Sequence, residues 1–245
     1  MKIGLITNNQ IKILACIFML IDHIGFFLFP DVLILRIIGR LAMPLFAFCI
    51  AEGAYYTKNK IKYFCQISGL GALICLFILI FNKKLDLNIL ISFSLSLLMI
   101  FLFDNIRKYI YLKNKKYTIF FILLFIIYTI LIFIFIYYIH IEYSSFGIII
   151  PFVLSLTQSK YYKNPNPSNS IIKAFAFIIS FILCMIISYY FIPINTDLHI
   201  EQYGLLSTIF ILLYNGKRGN YNLKYLFYIF YPLHVIILYL ISYLM

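Results

Sequence analysis

The stretch YTIFFILLFIIYTILIFIFIYYI, residues 117–139, contains no charged side chain. A run of about 20 apolar residues is what an α-helix needs to cross a bilayer core of ~30 Å at ~1.5 Å per residue. Working outward in both directions, apolar runs of similar character recur to the ends of the chain. With their breaks they predict about nine spans: 10–29, 33–53, 62–81, 88–104, 117–139, 145–159, 171–192, 201–215 and 224–245. Hydrophobic residues make up 64% of the 245 positions and charged residues 11%, against the roughly 25% charged of an ordinary soluble domain. A soluble fold of this composition would lack a polar surface. The sequence therefore predicts an all-α, polytopic transmembrane helical bundle, with residues 1–245 as a single integral membrane domain. The first span holds Asp22 and His23 inside its apolar run and is not followed by a small-residue cleavage pattern, so it is expected to stay as a helix.

The net charge of +12 comes from short basic clusters between apolar runs, which argues against nucleic acid as a partner and for membrane topology. Lys2, Lys12, Lys58, Lys60, Lys62, the Arg107 to Lys116 cluster, Lys160, Lys163, Lys173, Lys217, Arg218 and Lys224 fall on one side of the predicted spans. The other side has Lys83 and Lys84 with acidic Asp31, Asp86, Glu142, Asp197 and Glu201. The positive-inside rule then puts the amino terminus in the cytoplasm and the carboxyl terminus outside. The sixth and eighth spans are short, and each is open to reading as a re-entrant hairpin. The five cysteines lie in apolar stretches without CxxC spacing, so neither a disulfide framework nor a metal site is expected. A minor internal similarity pairs His140-Ile141-Glu142 with His199-Ile200-Glu201, both expected on the outer face.

Arg36 and Arg40 are the basic residues left within a span, and with Asp22 and His23 they put four ionisable groups into the first two helices. A charge at bilayer depth costs at least ~2.5 to 3.5 kcal/mol, so such groups ask for partners, a wet cavity or a function. With helix one rising and helix two descending, His23 falls roughly 10 Å short of the outer end, level with Arg40 and one turn below Arg36. Arg36 and Arg40 share a helix face, where their planar forks can hold an anion, a carboxylate or Asp22. Gly39 allows close approach of another backbone. Pro44 lacks the N–H that would bond the Arg40 carbonyl, which predicts a kink or loosening there. His23 is the candidate base and Asp22 its candidate tuner. His234, in the last span, can form a second polar wall or an ordinary interhelical hydrogen bond, and Glu52 is a candidate for the cytoplasmic mouth. The same charges are open to two other readings: a transporter or ion-coupled channel, or a packing network in a noncatalytic assembly factor.

The motifs LIDHIG (20–25), RIIGRLAMPLFAF (36–48), AEG (51–53) and FYIFYPLH (227–234) together resemble the TraX family. The order and spacing of these motifs carry the resemblance from the first predicted span to the last. It implies a membrane acyltransferase of the bacterial cytoplasmic membrane, acting with acetyl-CoA or another acyl-CoA on the amino terminus of an exported pilin or peptide, or on an envelope glycan. On this resemblance His23, Asp22 and Arg40 would be catalytic, and Arg36, Arg40, Glu52, Tyr231 and His234 would bind the acyl donor, within membrane lipid. No glycine-rich phosphate loop accompanies them.

Overall fold

A computed structural model of the chain describes residues 4–82, 87–139, 141–158, 161, 169–191, 198–220 and 224–244. These residues are all-helical, with no strands beyond the isolated bridges Ile6–Tyr214 and Leu87–Ile141. The helices are α1 Asn8–Phe27, α2 Leu33–Gly39, α3 Ala42–Tyr56, α4 Lys60–Asn82, α5 Ile89–Tyr111, α6 Lys115–Tyr138, α7 Ser144–Leu156, α8 Ser170–Phe191, α9 Leu198–Glu201, α10 Thr208–Leu212 and α11 Lys224–Leu244, with a 3-10 segment Gln202–Ser207 before α10. Among the described residues, six helical stretches are long and apolar enough to cross a membrane: Asn8–Phe27, Leu33–Tyr56, Lys60–Ile80, Ile89–Tyr111, Lys115–Tyr138 and Ser170–Tyr190. Two shorter apolar helices, Ser144–Leu156 and Tyr228–Leu244, accompany them. On α6 only Ile132 and Ile136 are buried, while Ile119, Phe120, Leu123, Ile127 and Ile130 are exposed. Such an apolar exterior suits hydrocarbon rather than water.

The chain divides into two compact units: Met1–Cys49 with Ser168–Ile178 and Asn195–Met245, and Ile50–Pro167 with Ile179–Ile194. In the second unit α5 packs against α4, α6 and α7. Met99, Ile132, Ile136 and Ile148 form an apolar cluster there, bordered by Leu95, Phe125, Tyr128 and Phe152. Small and polar side chains tie these helices to one another. Ser96 Oγ donates to the Ile148 carbonyl at 2.8 Å, Tyr128 donates to the Leu95 carbonyl at 2.9 Å, and Asn88 Nδ2 donates to the Gly71 carbonyl at 2.8 Å. Where lipid removes the hydrophobic drive between helices, close packing and such bonds supply the association.

The first unit is organised around α1. Thr7 and Gln10 close a capping box: the Gln10 N–H reaches Thr7 Oγ1 at 3.4 Å and the Thr7 N–H reaches Gln10 Oε1 at 2.7 Å. This satisfies two donors at the helix start. α1 ends at Phe27 because Pro30 follows, and the residue before a proline is steered away from helix. α2 packs back against α1, and Arg40 and Leu41 form the turn between α2 and α3. Pro44 occupies the first turn of α3, where its missing N–H costs nothing. The expected loosening of the second span is thus a two-residue turn, Arg40 and Leu41, within the helical stretch Leu33–Tyr56.

Residues 201–215, expected as the eighth span, are not one helix. The stretch is built from the end of α9, the 3-10 segment and α10. Ser207 Oγ donates to Leu41 O at 3.2 Å and Thr208 Oγ1 to Leu205 O at 2.6 Å. The stretch passes beside α1, and its end bridges in parallel to the residues before that helix, Ile6 to Tyr214. Its start meets Arg40 at the level of Asp22, Phe210 meets Phe18 with ring centroids 5.6 Å apart, and Leu5 N donates to Leu213 O at 2.8 Å. Asn8 N and Asn9 N then donate to Lys217 O and Arg218 O at 2.9 and 3.0 Å. α11 runs parallel to α1: His234 lies beside His23 and Tyr239 beside Phe27.

Candidate functional site

Asp22 and His23 are adjacent on α1 and so point about 100° apart around its axis. Asp22 faces α2 and His23 faces α11. Each therefore organises a different set of partners.

Gly39 makes the Asp22 side possible. A Cβ on Gly39 would lie 2.3 Å from Asp22 Cβ and 2.4 Å from Asp22 Oδ1, and one on Gly25 would lie 2.8 Å from Leu35 Cβ. With both positions bare, α1 and α2 approach closely and the carboxylate reaches both arginines. Arg40 Nη2 donates to Asp22 Oδ1 at 2.9 Å and Oδ2 at 3.0 Å; Arg36 Nη1 donates to Asp22 Oδ2 at 2.8 Å and to the Asp22 carbonyl at 3.1 Å. Arg40 Nη1 also donates to Glu201 Oε1 at 2.6 Å. Two guanidinium groups thus meet two carboxylates, and the network balances its own charge. Desolvation of these ions is offset only because the pairs are short and multiply bonded.

The two arginines differ in what they have left to offer. The Arg40 side chain is 9% exposed and spans Asp22 and Glu201. The Arg36 side chain is 23% exposed, with its guanidinium 5.1 Å from the centre of the Phe26 ring. Its Nη2 and Nε make no hydrogen bond among the described residues. Arg36 therefore keeps donors for something else.

On the other face, His23 Nδ1 lies 2.8 Å from His234 Nε2, and His234 Nδ1 lies 2.8 Å from the Phe230 carbonyl. Phe230 stacks on the His234 ring with centroids 4.8 Å apart and planes at 8°; Tyr231 meets the same ring edge-on at 5.9 Å. Phe27 lies 6.0 Å from the His23 ring. His23 is four residues from the end of α1, about 6 Å along the axis, rather than the 10 Å expected, because the helix stops at Phe27.

The structure thus brings Asp22, His23, Arg36, Arg40, Tyr231 and His234 together in the first unit. Glu52 belongs to the second unit, where it is 1% exposed and its carboxylate accepts from Gln158 Nε2. Glu201 is the site member that sequence reading left as a speculative outer contact. The matching HIE tripeptides do unlike jobs, since Glu142 Oε2 accepts the Ile89 N–H at 3.1 Å and caps α5. His199 is exposed, and His140 lies outside the described residues. Lys173, expected among the basic residues of a connection, is 1% exposed, with Nζ 5.6 Å and 4.9 Å from the Phe48 and Tyr214 ring centres. Its ammonium gains cation–π stabilisation in place of water.

A protein of Dichelobacter nodosus named "Probable fimbrial assembly protein FimC, serogroup H1" is 27% identical, over 94% of this chain and 93% of its own length. An uncharacterized protein of Rickettsia prowazekii (strain Madrid E) is 41% identical over 40% of this chain, a match spanning 39% of that relative. No solved structure matches the chain. A family model described as TraX protein matches residues 7–242, from the capping threonine of α1 almost to the end of α11, and the chain therefore belongs to the TraX family.

Proposed function

We propose that the chain is a membrane-embedded acyltransferase that moves an acetyl group from cytoplasmic acetyl-CoA to an amine or hydroxyl of an exported acceptor. One observation carries the reading: His23 shares a helical turn with a charge-balanced network in which Arg36, 23% exposed, keeps its Nη2 and Nε outside the hydrogen bonds to Asp22. His23 takes the proton of the acceptor as its nitrogen or oxygen attacks, and the free Arg36 donors steady the developing oxyanion. Asp22, Arg40 and Glu201 hold Arg36 and α1 in register. Acetyl-CoA supplies an electrophilic thioester carbonyl and a thiolate leaving group. The balanced network suits that uncharged thioester end, with Tyr231 as its neighbouring wall. The coenzyme's phosphates are better matched by basic residues at the start of α1, where Lys217 and Arg218 are held. The fimbrial name of the Dichelobacter relative supports a pilin-like amino terminus as acceptor.

The same reading takes the whole chain as one domain of the bacterial cytoplasmic membrane, with its amino terminus inside and its carboxyl terminus outside. The basic clusters support it, as does α11 running parallel to α1. Cysteines introduced at Asn114 and Asp31 of a cysteine-free variant are then labelled from opposite sides. Purified protein in nanodiscs with labelled acetyl-CoA is expected to transfer or slowly hydrolyse the acetyl group, and His23→Ala to lose about 10²- to 10⁴-fold. A folded protein that neither turns over acetyl-CoA nor changes when His23 is lost refutes the reading.

A further inference from the structure

Hydrogen-bond directions along α11 fix more than the position of His23. The Phe230 carbonyl can only accept, so the His234 nitrogen facing it at 2.8 Å, Nδ1, carries hydrogen. In the neutral ring Nε2 is then a lone pair. His23 Nδ1, 2.8 Å from that lone pair, must be the donor. What remains on His23 is an unprotonated Nε2.

We propose that His23 and His234 form a two-imidazole relay, in which His234 is a positioning residue that holds His23 in the Nδ1–H tautomer and shares the proton His23 receives. The proposal rests on His23 being the base of the reaction above. When Nε2 of His23 takes the acceptor proton, a new bond forms from the acceptor nitrogen or oxygen to the thioester carbonyl carbon. The Nδ1 proton of His23 can then move to Nε2 of His234, whose cation keeps its Nδ1–H bonded to the Phe230 carbonyl. As the carbon–sulfur bond breaks, the thiolate sulfur takes the proton from Nε2 of His23, and the Nδ1 proton returns. Both rings end neutral, as they began.

The surroundings suit a pair that cycles between neutral and singly protonated. The charged groups nearest to it are Asp22 on α1, Arg36 on α2, Arg40 in the turn after α2 and Glu201 at the end of α9, and these are paired with one another, two of each sign. Tyr231 from α11 stands edge-on to His234, and Tyr239 stands edge-on to Phe27 at 6.4 Å. The stacked Phe230 ring keeps His234 from turning away. A packing histidine needs no particular tautomer on its neighbour; a relay does.

The test begins with ¹⁵N-histidine NMR of a His140→Gln/His199→Gln variant in nanodiscs, which retains two of the four histidines. Both rings are expected as Nδ1–H tautomers, the less common form of free neutral histidine, with coupling across the hydrogen bond between His23 Nδ1 and His234 Nε2. A His23 ring carrying Nε2–H, or no coupling between the rings, overturns the relay. In turnover, His234→Leu is expected to lower kcat about 10- to 100-fold with KM for acetyl-CoA unchanged. His234→Gln, which keeps an acceptor oxygen for His23, is expected to recover much of that loss. Equal kcat in the unsubstituted protein and in both variants overturns the relay. Coupled rings in a protein without turnover overturn the acyltransferase reading alone.

Discussion

Gly39→Ala is a one-carbon change that tests the geometry of the whole network. The new Cβ would sit 2.3 Å from Asp22 Cβ and 2.6 Å from Asp22 Cα, so neither contact ends in a flexible tip that could swing aside. Ordinary contact requires α1 and α2 to part by about 1 Å. The Arg40 bonds to Asp22, at 2.9 and 3.0 Å, have little room for such a shift before they cease to be hydrogen bonds. Overpacking costs about 1 to 3 kcal/mol, and losing part of a buried ion pair adds to it. The expected total is about 3 kcal/mol, against a helix-propensity gain of at most ~1 kcal/mol for replacing glycine. Gly69 on α4 supplies the control, since a Cβ there meets nothing within 4 Å. Thermal unfolding in one detergent should therefore lower Tm for Gly39→Ala and leave it equal or higher for Gly69→Ala. A Gly39→Ala protein as stable as the unsubstituted one refutes the close approach of Asp22 to α2.

The Arg40–Glu201 pair should show as coupling. Arg40→Gln and Glu201→Gln each leave a buried partner uncompensated and are expected to cost about 3 kcal/mol, while the double variant costs at least ~1 kcal/mol less than their sum in denaturant unfolding; additivity would rule the pair out. Arg40→Lys is expected to behave nearly as badly as Arg40→Gln, because one ammonium cannot reproduce a planar fork held between two carboxylates; full stability and turnover of that variant would count against the bridge. Thr7→Val removes the side-chain acceptor of the capping box and should cost about 1 kcal/mol, read as a lower Tm without change in kcat.

The spans and half of the site were legible because they follow from local rules. Residues 117–139 had to be a lipid-facing helix, having no charge to place elsewhere, and α6 shows that exterior. Asp22 and Arg40 could be set at one depth because the helical rise is constant and the two helices are joined by a short turn. What stayed hidden depends on distant or nonlocal choices. Arg40 and Glu201 are 161 positions apart, and nothing near Glu201 distinguishes it from Glu142, which caps a helix instead. The 201–215 stretch is apolar enough to read as a helix, but whether the hydroxyls of Ser207 and Thr208 turn to neighbouring carbonyls depends on the packing around them. Lys173 read as a loop charge because lysine usually ends a span; its burial depends on Phe48 and Tyr214, neither of them near it in sequence.

The sequence leaves the arginines able to hold an anion, a carboxylate or Asp22, and the structure pairs both with Asp22. An empty site with two free guanidinium groups would attract any carboxylate or phosphate and would hold a phosphorylated donor by the wrong end. Asp22 and Glu201 remove that attraction while leaving Arg36 with its Nη2 and Nε donors. In the proposed acyl transfer, a donor so fixed by its partners would favour a transition state over a ground-state anion, because it would add little binding before the carbonyl oxygen becomes negative. Adjacent positions on α1 therefore separate two tasks. Asp22 turns toward α2 to neutralise and orient the arginines, and His23 turns toward α11 to find its tautomer. A two-residue spacing would send the pair to nearly opposite sides of the helix, and a four-residue spacing would put both on one face. Neighbouring residues about 100° apart let one turn of one helix serve an electrostatic network and a base at the same depth.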